Sequence, residues 1–305
     1  MNVKNILFLA IGGFLSLSII SCGGESSTNS EPADQQTEKK PVNTSKAGLV
    51  KVGDKLFNLP SPLETALLIE KVDKQFNEGL LNQDVDATKY STKYSQAMNL
   101  GVYGADLGYA LIHGQSKSAF QLLGVCKKLG TGLGVSAGLY VDLMKRFEGN
   151  TENKDSLLIF ISEMNRLSDE YLKENEAQDV SSLILYGGWI ESLHFTTTLA
   201  KSSGEATLIA RVGEQKNGLN NLIALLTQYN GSGALSPYLE DLNNLRETFN
   251  KVEYSYQWIE PETNADKNLT VIKSKSTIDM DDATLNEISE KISAIRTSIT
   301  ETTSL

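Results

Sequence analysis

The sequence predicts an all-α protein, an antiparallel helix bundle or a stacked array of helix pairs with about eight to nine helices. Three observations carry this. From Leu49 onward the 305-residue chain holds only four prolines, Pro60, Pro62, Pro237 and Pro261. Helix starts are signed repeatedly by a Ser, Thr or Asp, several with Glu three residues later or proline next. Strand-like alternation is scarce, and the gaps between helical runs are short, which favours antiparallel neighbours.

In chain order, Ser61-Pro62-Leu63-Glu64 is a capping box that opens a helix over 62–80. Helices follow over 92–113, 117–129, 134–148 and 154–174. Asp179 is placed to cap a helix over 180–201. Ser202 with Glu205 marks the start of one over 205–229, and Ser236-Pro237 the start of one over 237–258. Thr284 with Glu287 opens the last, over 284–300. Two stretches, 49–57 and 269–278, alternate weakly and could pair as a minor two-stranded ribbon. "VYGADLGYALIHG" (102–114) and "LYGGWIESLHFTT" (185–197) echo each other at a spacing of 83 residues. A duplicated helix-hairpin unit would produce such an echo.

The last helix carries Leu285, Ile288, Ile292, Ile295 and Ile299 at alternating spacings of three and four. This is a narrow apolar seam, too short for a free coiled coil. It either docks on the protein's own body or presents a surface to an envelope-protein partner or a second copy.

The N-terminus has a different character. A start with one base, Lys4, leads into a 15-residue apolar run, Ile6 to Ile20, and then Ser21-Cys22-Gly23-Gly24. The pattern is that of an export signal, and the run is short for a bilayer-spanning helix, which needs about 20 residues. An ordinary secretory signal and a single-pass anchor compete for the same residues. Ile19-Ile20-Ser21-Cys22 resembles the lipobox of bacterial lipoproteins. That resemblance implies cleavage before Cys22, lipid on Cys22, and, with Gly23 rather than Asp next, an outer-membrane destination facing the periplasm or the exterior.

The 26 residues from Gly23 to Gly48 contain no aromatic, Leu, Ile or Phe. They cannot bury enough apolar surface to offset ordering, and as a flexible coil they span roughly 30 Å. The expected organisation is a signal over 1–21, a lipidated cysteine and tether over 22–48, and one helical domain over 49–305. Loss of Lys4 with the signal leaves 27 basic and 38 acidic residues, a formal charge of −11. That argues against nucleic acid and against electrostatic attachment to anionic lipid. Cys126 is left without a partner for a disulfide and reads as a small buried apolar residue.

"NLGVYGADLGYALIHG" (99–114) places three glycines, an acid and a histidine in one helix. On a helical wheel Gly101, Gly104 and Gly108 form a stripe with Ala97 and Ala105. Each glycine costs about 1 kcal/mol against alanine, which close helix packing must offset. Asn99, Asp106 and His113 line up elsewhere, beside Tyr103 and Tyr109. That face is a solvated surface, a buried polar network or a ligand groove with Asp106 at its centre. Its counterpart holds Trp189, Glu191 and His194, the last two being neighbours on one helix face. The acids and histidines are types that bind zinc or iron, but no HExxH or paired ExxH is present, so neither metal nor cofactor is expected.

Other motifs fail on context. Gly134-Val135-Ser136-Ala137-Gly138 needs a strand before its serine and here follows a helical run. Gly132-x-Gly134-x-x-Ala137 lacks a βαβ unit. Asp279, Asp281 and Glu290 match part of a calcium loop, with Thr284 where its glycine belongs. No catalytic constellation passes, so an enzyme is not expected. "LPSPLETALLIEKV" (59–72) and "KYSQAMNLGVYGADLGYA" (93–110) together resemble a family of uncharacterised lipoproteins found in Bacteroidota. The resemblance implies location and fold and carries no chemistry. The expected role is a lipid-anchored interaction or scaffold module. The alternative is a small-ligand binder using Asp106, Tyr103, Tyr109, His113, Trp189, Glu191 and His194.

Overall fold

The computed structural model describes residues 49–301, apart from 53–54, 136, 265–268 and most of 150–168. The expected signal, Cys22 and tether (1–48) lie outside the described residues, as does much of the expected helix over 154–174. The described residues form nine helices and three two-stranded antiparallel ribbons. The helices are α1 (Pro62–Val72), α2 (Lys93–Ile112), α3 (Ser116–Gly132), α4 (Ala137–Gly149), α5 (described residues within 158–174), α6 (Gln178–Ser203), α7 (Ala206–Gln228), α8 (Ser236–Phe249) and α9 (Asp282–Glu301).

The Ser61 box forms as expected. Ser61 Oγ accepts from Glu64 N and Glu64 Oε2 from Ser61 N, both at 3.2 Å. The helix it opens stops at Val72, not at 80. Asp73, Asn77, Asn82, Asp84 and Asp86 each accept a bond from the backbone N–H two residues on. These Asx turns compete with the helical ladder for the backbone, so 73–92 becomes a connector with two short 3₁₀ turns.

Several helix starts differ from the sequence reading. Asp179 sits inside the first turn of α6, where it accepts from Tyr94 Oη at 2.9 Å. Ser202 and Ser203 close α6 by bonding back to the Leu199 carbonyl, and Gly204, at φ +68°, ends it. No side chain caps α7. α9 is opened by Asp281, which accepts from Thr284 N at 2.7 Å, while Glu287 reaches across to Thr248 and Lys251 near the end of α8.

α8 ends at Phe249 rather than at 258, because the chain there turns to period two. Strand β3 (Glu253–Gln257) pairs with β6 (Lys275–Asp279), and β4 (Glu262–Asn264) pairs with β5 (Leu269–Val271). Near the N-terminus β1 (Leu49–Val52) pairs with β2 (Lys55–Asn58). The stretches 49–57 and 269–278 therefore do not pair with each other. Each finds a partner close in sequence, where loop closure costs less entropy.

α2 and α6 form the centre. α1 and α3 pack on α2, α7 and α9 pack on α6, and α8 lies against both α7 and α9. α2 and α3 run antiparallel, as do α6 and α7: Gln96 lies at Gly132 across the first pair, and Trp189 reaches Gln215 across the second. The central pair runs parallel, since Tyr94 meets Asp179, Gly101 meets Gly188 and Tyr109 meets Phe195. α3, α4 and α5 carry the chain back between them. The two echoing segments lie side by side in this pair.

The glycine stripe does build a close contact, but through a different residue. A β-carbon on Gly101 would run into the Ile184 carbonyl oxygen and lie 2.6 Å from Gly188 N. One on Gly187 would run into the Met98 carbonyl. At Gly104 a β-carbon would meet nothing within 4 Å, and at Gly108 only a Leu63 methyl at 3.9 Å. The Gly104-x-x-x-Gly108 spacing is therefore not the contact.

The apolar seam of α9 docks on the chain's own body. Leu285, Ile288, Ile292, Ile295 and Ile299 are all buried, covered by α2, α6 and α8. They are consequently not presented to a partner or a second copy.

Substitution separates the glycines. Gly101→Ala and Gly187→Ala force α2 and α6 apart and cost about 3 kcal/mol each. Gly104→Ala gains about 0.5–1 kcal/mol from helix propensity. Urea melts of the three variants measure the difference, and a Gly101→Ala protein as stable as the parent would contradict the close crossing.

Candidate functional site

The polar row of α2 and its counterpart on α6 meet at one buried place. Asp106 projects from α2 and Glu191 from α6, both with no exposed surface, and the two carboxyl groups are near enough to shift each other's ionisation. Arg296 of α9 completes the cluster. Its Nε donates to Glu191 Oε2 at 2.6 Å and its Nη2 to Oε1 at 2.7 Å, a two-pronged pair. Nη2 also reaches the Leu80 carbonyl at 3.4 Å. Asp106 Oδ2 accepts from Asn82 N of the connector at 3.1 Å.

Two carboxylates and one guanidinium would leave a net negative charge in a dry space. Burial first, and Glu191 second, push the Asp106 carboxyl well above the usual carboxylate range. Burial also raises Glu191, against the pull of Arg296. The cluster is neutral when Asp106 keeps its proton. Asp106 Oδ1 has no hydrogen-bond partner, so it is the oxygen left free to carry that proton. Two like charges so close cannot both ionise cheaply.

The rest of the row fastens the connector and the end of α9. Tyr103 Oη accepts from Asn82 Nδ2 at 3.0 Å and donates to the Asp84 carbonyl. Tyr109 Oη accepts from Asn77 N at 3.1 Å. Asn99 Nδ2 donates to the Ile299 carbonyl at 2.9 Å, and Tyr90 Oη to that of Thr300 at 3.1 Å. These satisfy carbonyls that the last turn of α9 leaves open. His113 sets one ring nitrogen 3.0 Å from the Tyr109 carbonyl and the other 3.4 Å from that of Asp73, and its ring packs on Tyr109.

The sequence-selected residues thus divide. Tyr103, Asp106, Tyr109, Trp189 and Glu191 are buried, and His113 and His194 are half-buried. The solvated-face reading of Asn99 and Asp106 is overturned, since both are fully buried, and the buried network describes them. Trp189 Nε1 donates to Gln215 Oε1 at 3.1 Å, away from the acids. His194 is held neutral by burial and by Arg296, its pKa pushed down to about 4. Among the described residues no three histidine, cysteine or carboxylate side chains are placed to hold a metal ion. Cys126 is buried and free, and burial pushes its thiol up.

Arg296 was missed because the last helix reads as an apolar seam. It follows Ile295 directly, about 100° round the helix from that seam. An arginine flanking a fully buried stripe was the available signal. Asn82 and Tyr90 lie in the connector, which the sequence reading placed partly in a helix. A scan against protein-family models finds no match, and comparisons with curated proteins and with solved structures find none either.

Because the folded chain holds the Asp106 proton more tightly than the unfolded chain, its contribution is fully present below the ordinary carboxylate range and is lost as pH rises. Asp106→Asn can still donate to Glu191 and accept from Asn82 N. The parent should lose more stability than Asp106→Asn between about pH 5 and pH 8 in urea melts, leaving the variant's profile flatter. Arg296→Met leaves Glu191 unpaired and costs about 3–5 kcal/mol. Parallel pH profiles for parent and Asp106→Asn would contradict the shared proton.

Proposed function

We propose that this chain is a lipid-anchored helical interaction module of the cell envelope, held through Cys22 at the outer membrane on its periplasmic or external side. The observation that carries the reading is the lipobox-like Ile19-Ile20-Ser21-Cys22, set before 26 residues without a large apolar side chain. Acyl chains on one cysteine hold a protein stably when two or more are present. The acidic balance of the mature chain supplies no electrostatic attraction to anionic lipid. The body contributes no described helix long and apolar enough to cross a membrane.

The buried network supports a positioning role for the helices rather than a role in binding. Asp106, Glu191 and Arg296 join α2, α6 and α9 with little exposed surface. The second reading, a small-ligand site around Asp106, requires the connector 73–92 to lift, because Asn82 and Asp84 bond to Asp106 and Tyr103 there.

Intact mass and fractionation test the anchor. The parent should begin at residue 22, carry acyl chains on Cys22 and stay with the outer membrane through high-salt washing. Cys22→Ser should keep residues 1–21 and leave the outer-membrane fraction. An unmodified Cys22, or an unchanged distribution of the variant, would sink the reading.

A further inference from the structure

The ribbons of the C-terminal third form one arm. β3 and β6 make the inner ladder, with Gln257 facing Lys275, and β4 and β5 make the outer one, with Glu262 facing Val271. Four residues (258–261) thus oppose three (272–274), a bulge that bends the arm between its ladders. Ser274 Oγ bridges the bulge, accepting from Ile259 N at 3.0 Å and donating to its carbonyl at 3.1 Å. The root is pinned to the body. Tyr254 Oη donates to the Gly213 carbonyl of α7 at 2.8 Å, Lys216 Nζ to that of Val252 at 2.8 Å, and β6 packs on α7.

Beyond the root the arm carries large apolar side chains in solvent. Trp258 is 66 % exposed, Tyr256 64 % and Ile272 73 %, with Leu269 and Val271 also exposed. Elsewhere among the described residues only Val85, Val141 and Ile159 are comparable, and they are scattered. A two-stranded ribbon is marginal by itself in water, and a concentrated apolar surface of this kind marks an interaction site.

The position of the arm indicates what covers it. The segment from Cys22 enters the body at β1–β2, and β2 packs on α7, the helix that also carries the arm's root. The stretch from Gly23 to Gly48 spans roughly 30 Å as a coil. Five steps of extended chain from Glu253 to Trp258 span roughly 17 Å. An anchor at Cys22 on a coil of roughly 30 Å leaves Trp258 able to meet the bilayer. Tyr and Trp favour the membrane–water boundary, and Leu, Val and Ile the layer beneath it. Lys273, the base nearest the tip among the described residues, is spent on Glu262. The side chains exposed on the described part of the arm that suit such a layer are the apolar and aromatic ones.

We infer that this arm docks on the lipid surface that holds the anchor, seating Trp258 and Ile272 among the headgroups and upper acyl chains. The inference rests on the anchor at Cys22 proposed above. Lipid contact would orient the helical body and add a second attachment to the acyl chains.

The chain has two tryptophans, and Trp189 is buried against Gln215, so Trp258 reports on the arm. The lipidated protein would be reconstituted in phosphatidylcholine–phosphatidylethanolamine vesicles with and without brominated acyl chains. Brominated lipid should quench the Trp258 emission, and aqueous iodide should not. Trp258→Phe should abolish the lipid-dependent quenching and leave the Trp189 signal. Ile272→Ser should make Trp258 more accessible to iodide. A lipidated, vesicle-bound protein whose Trp258 is open to iodide and untouched by bromine would overturn the arm inference alone. Protection from iodide without quenching by bromine, accompanied by a dimer in sedimentation, would overturn it in favour of a second copy. A chain that carries no lipid and does not float with vesicles overturns both readings.

Discussion

Everything packed on the central pair depends on how closely α2 approaches α6. At Gly101, Gly187 and Gly188 the two backbones touch without side chains between them. That contact brings residues from either helix to within hydrogen-bonding range a turn or two further along. Asp106 and Glu191 meet there because the helices run parallel and nearly in register. A wider crossing would leave room for water between the acids, and a buried proton would no longer be needed to keep the space neutral.

The charged cluster in turn fixes α9. Arg296 faces the two acids, and its two-pronged bond to Glu191 sets the rotation and the height of the last helix. The apolar seam supplies most of the contact area, but such a seam tolerates sliding by a heptad. A buried ion pair does not, since a slip would strand an unpaired carboxylate. Asn99 and Tyr90 then take the final carbonyls of α9, so one polar row on α2 ties together the connector, the acids and the C-terminal turn.

The body and the arm follow opposite rules. In the body one set of polar side chains, Asn99, Asp106, Glu191 and Arg296 among them, is turned inward and bonded across helices. In the arm large apolar side chains are turned outward on a two-stranded ribbon that rests on α7 only at its root. With the anchor proposed at Cys22, an apolar contact from the arm would add orientation, which a single point of attachment does not set.

The helical class was legible from local chemistry, as were the box at Ser61, the docking seam of α9 and the alignment of Asn99, Asp106 and His113 on one face. Each depends on residues within a few positions of one another, so a sequence displays it directly. The strand at Tyr254 and Tyr256 was missed, because the helical pattern just before it extended the expected helix to 258 over the change of period. Other features needed the tertiary structure. Which of three glycines is used, that α2 and α6 run parallel, and that Arg296 meets Asp106 and Glu191 all depend on approaches between residues from about 85 to 190 positions apart. No local pattern specifies such a meeting. It is settled by whether all the buried groups can be packed and neutralised at once, and that condition exists only when the helices have come together.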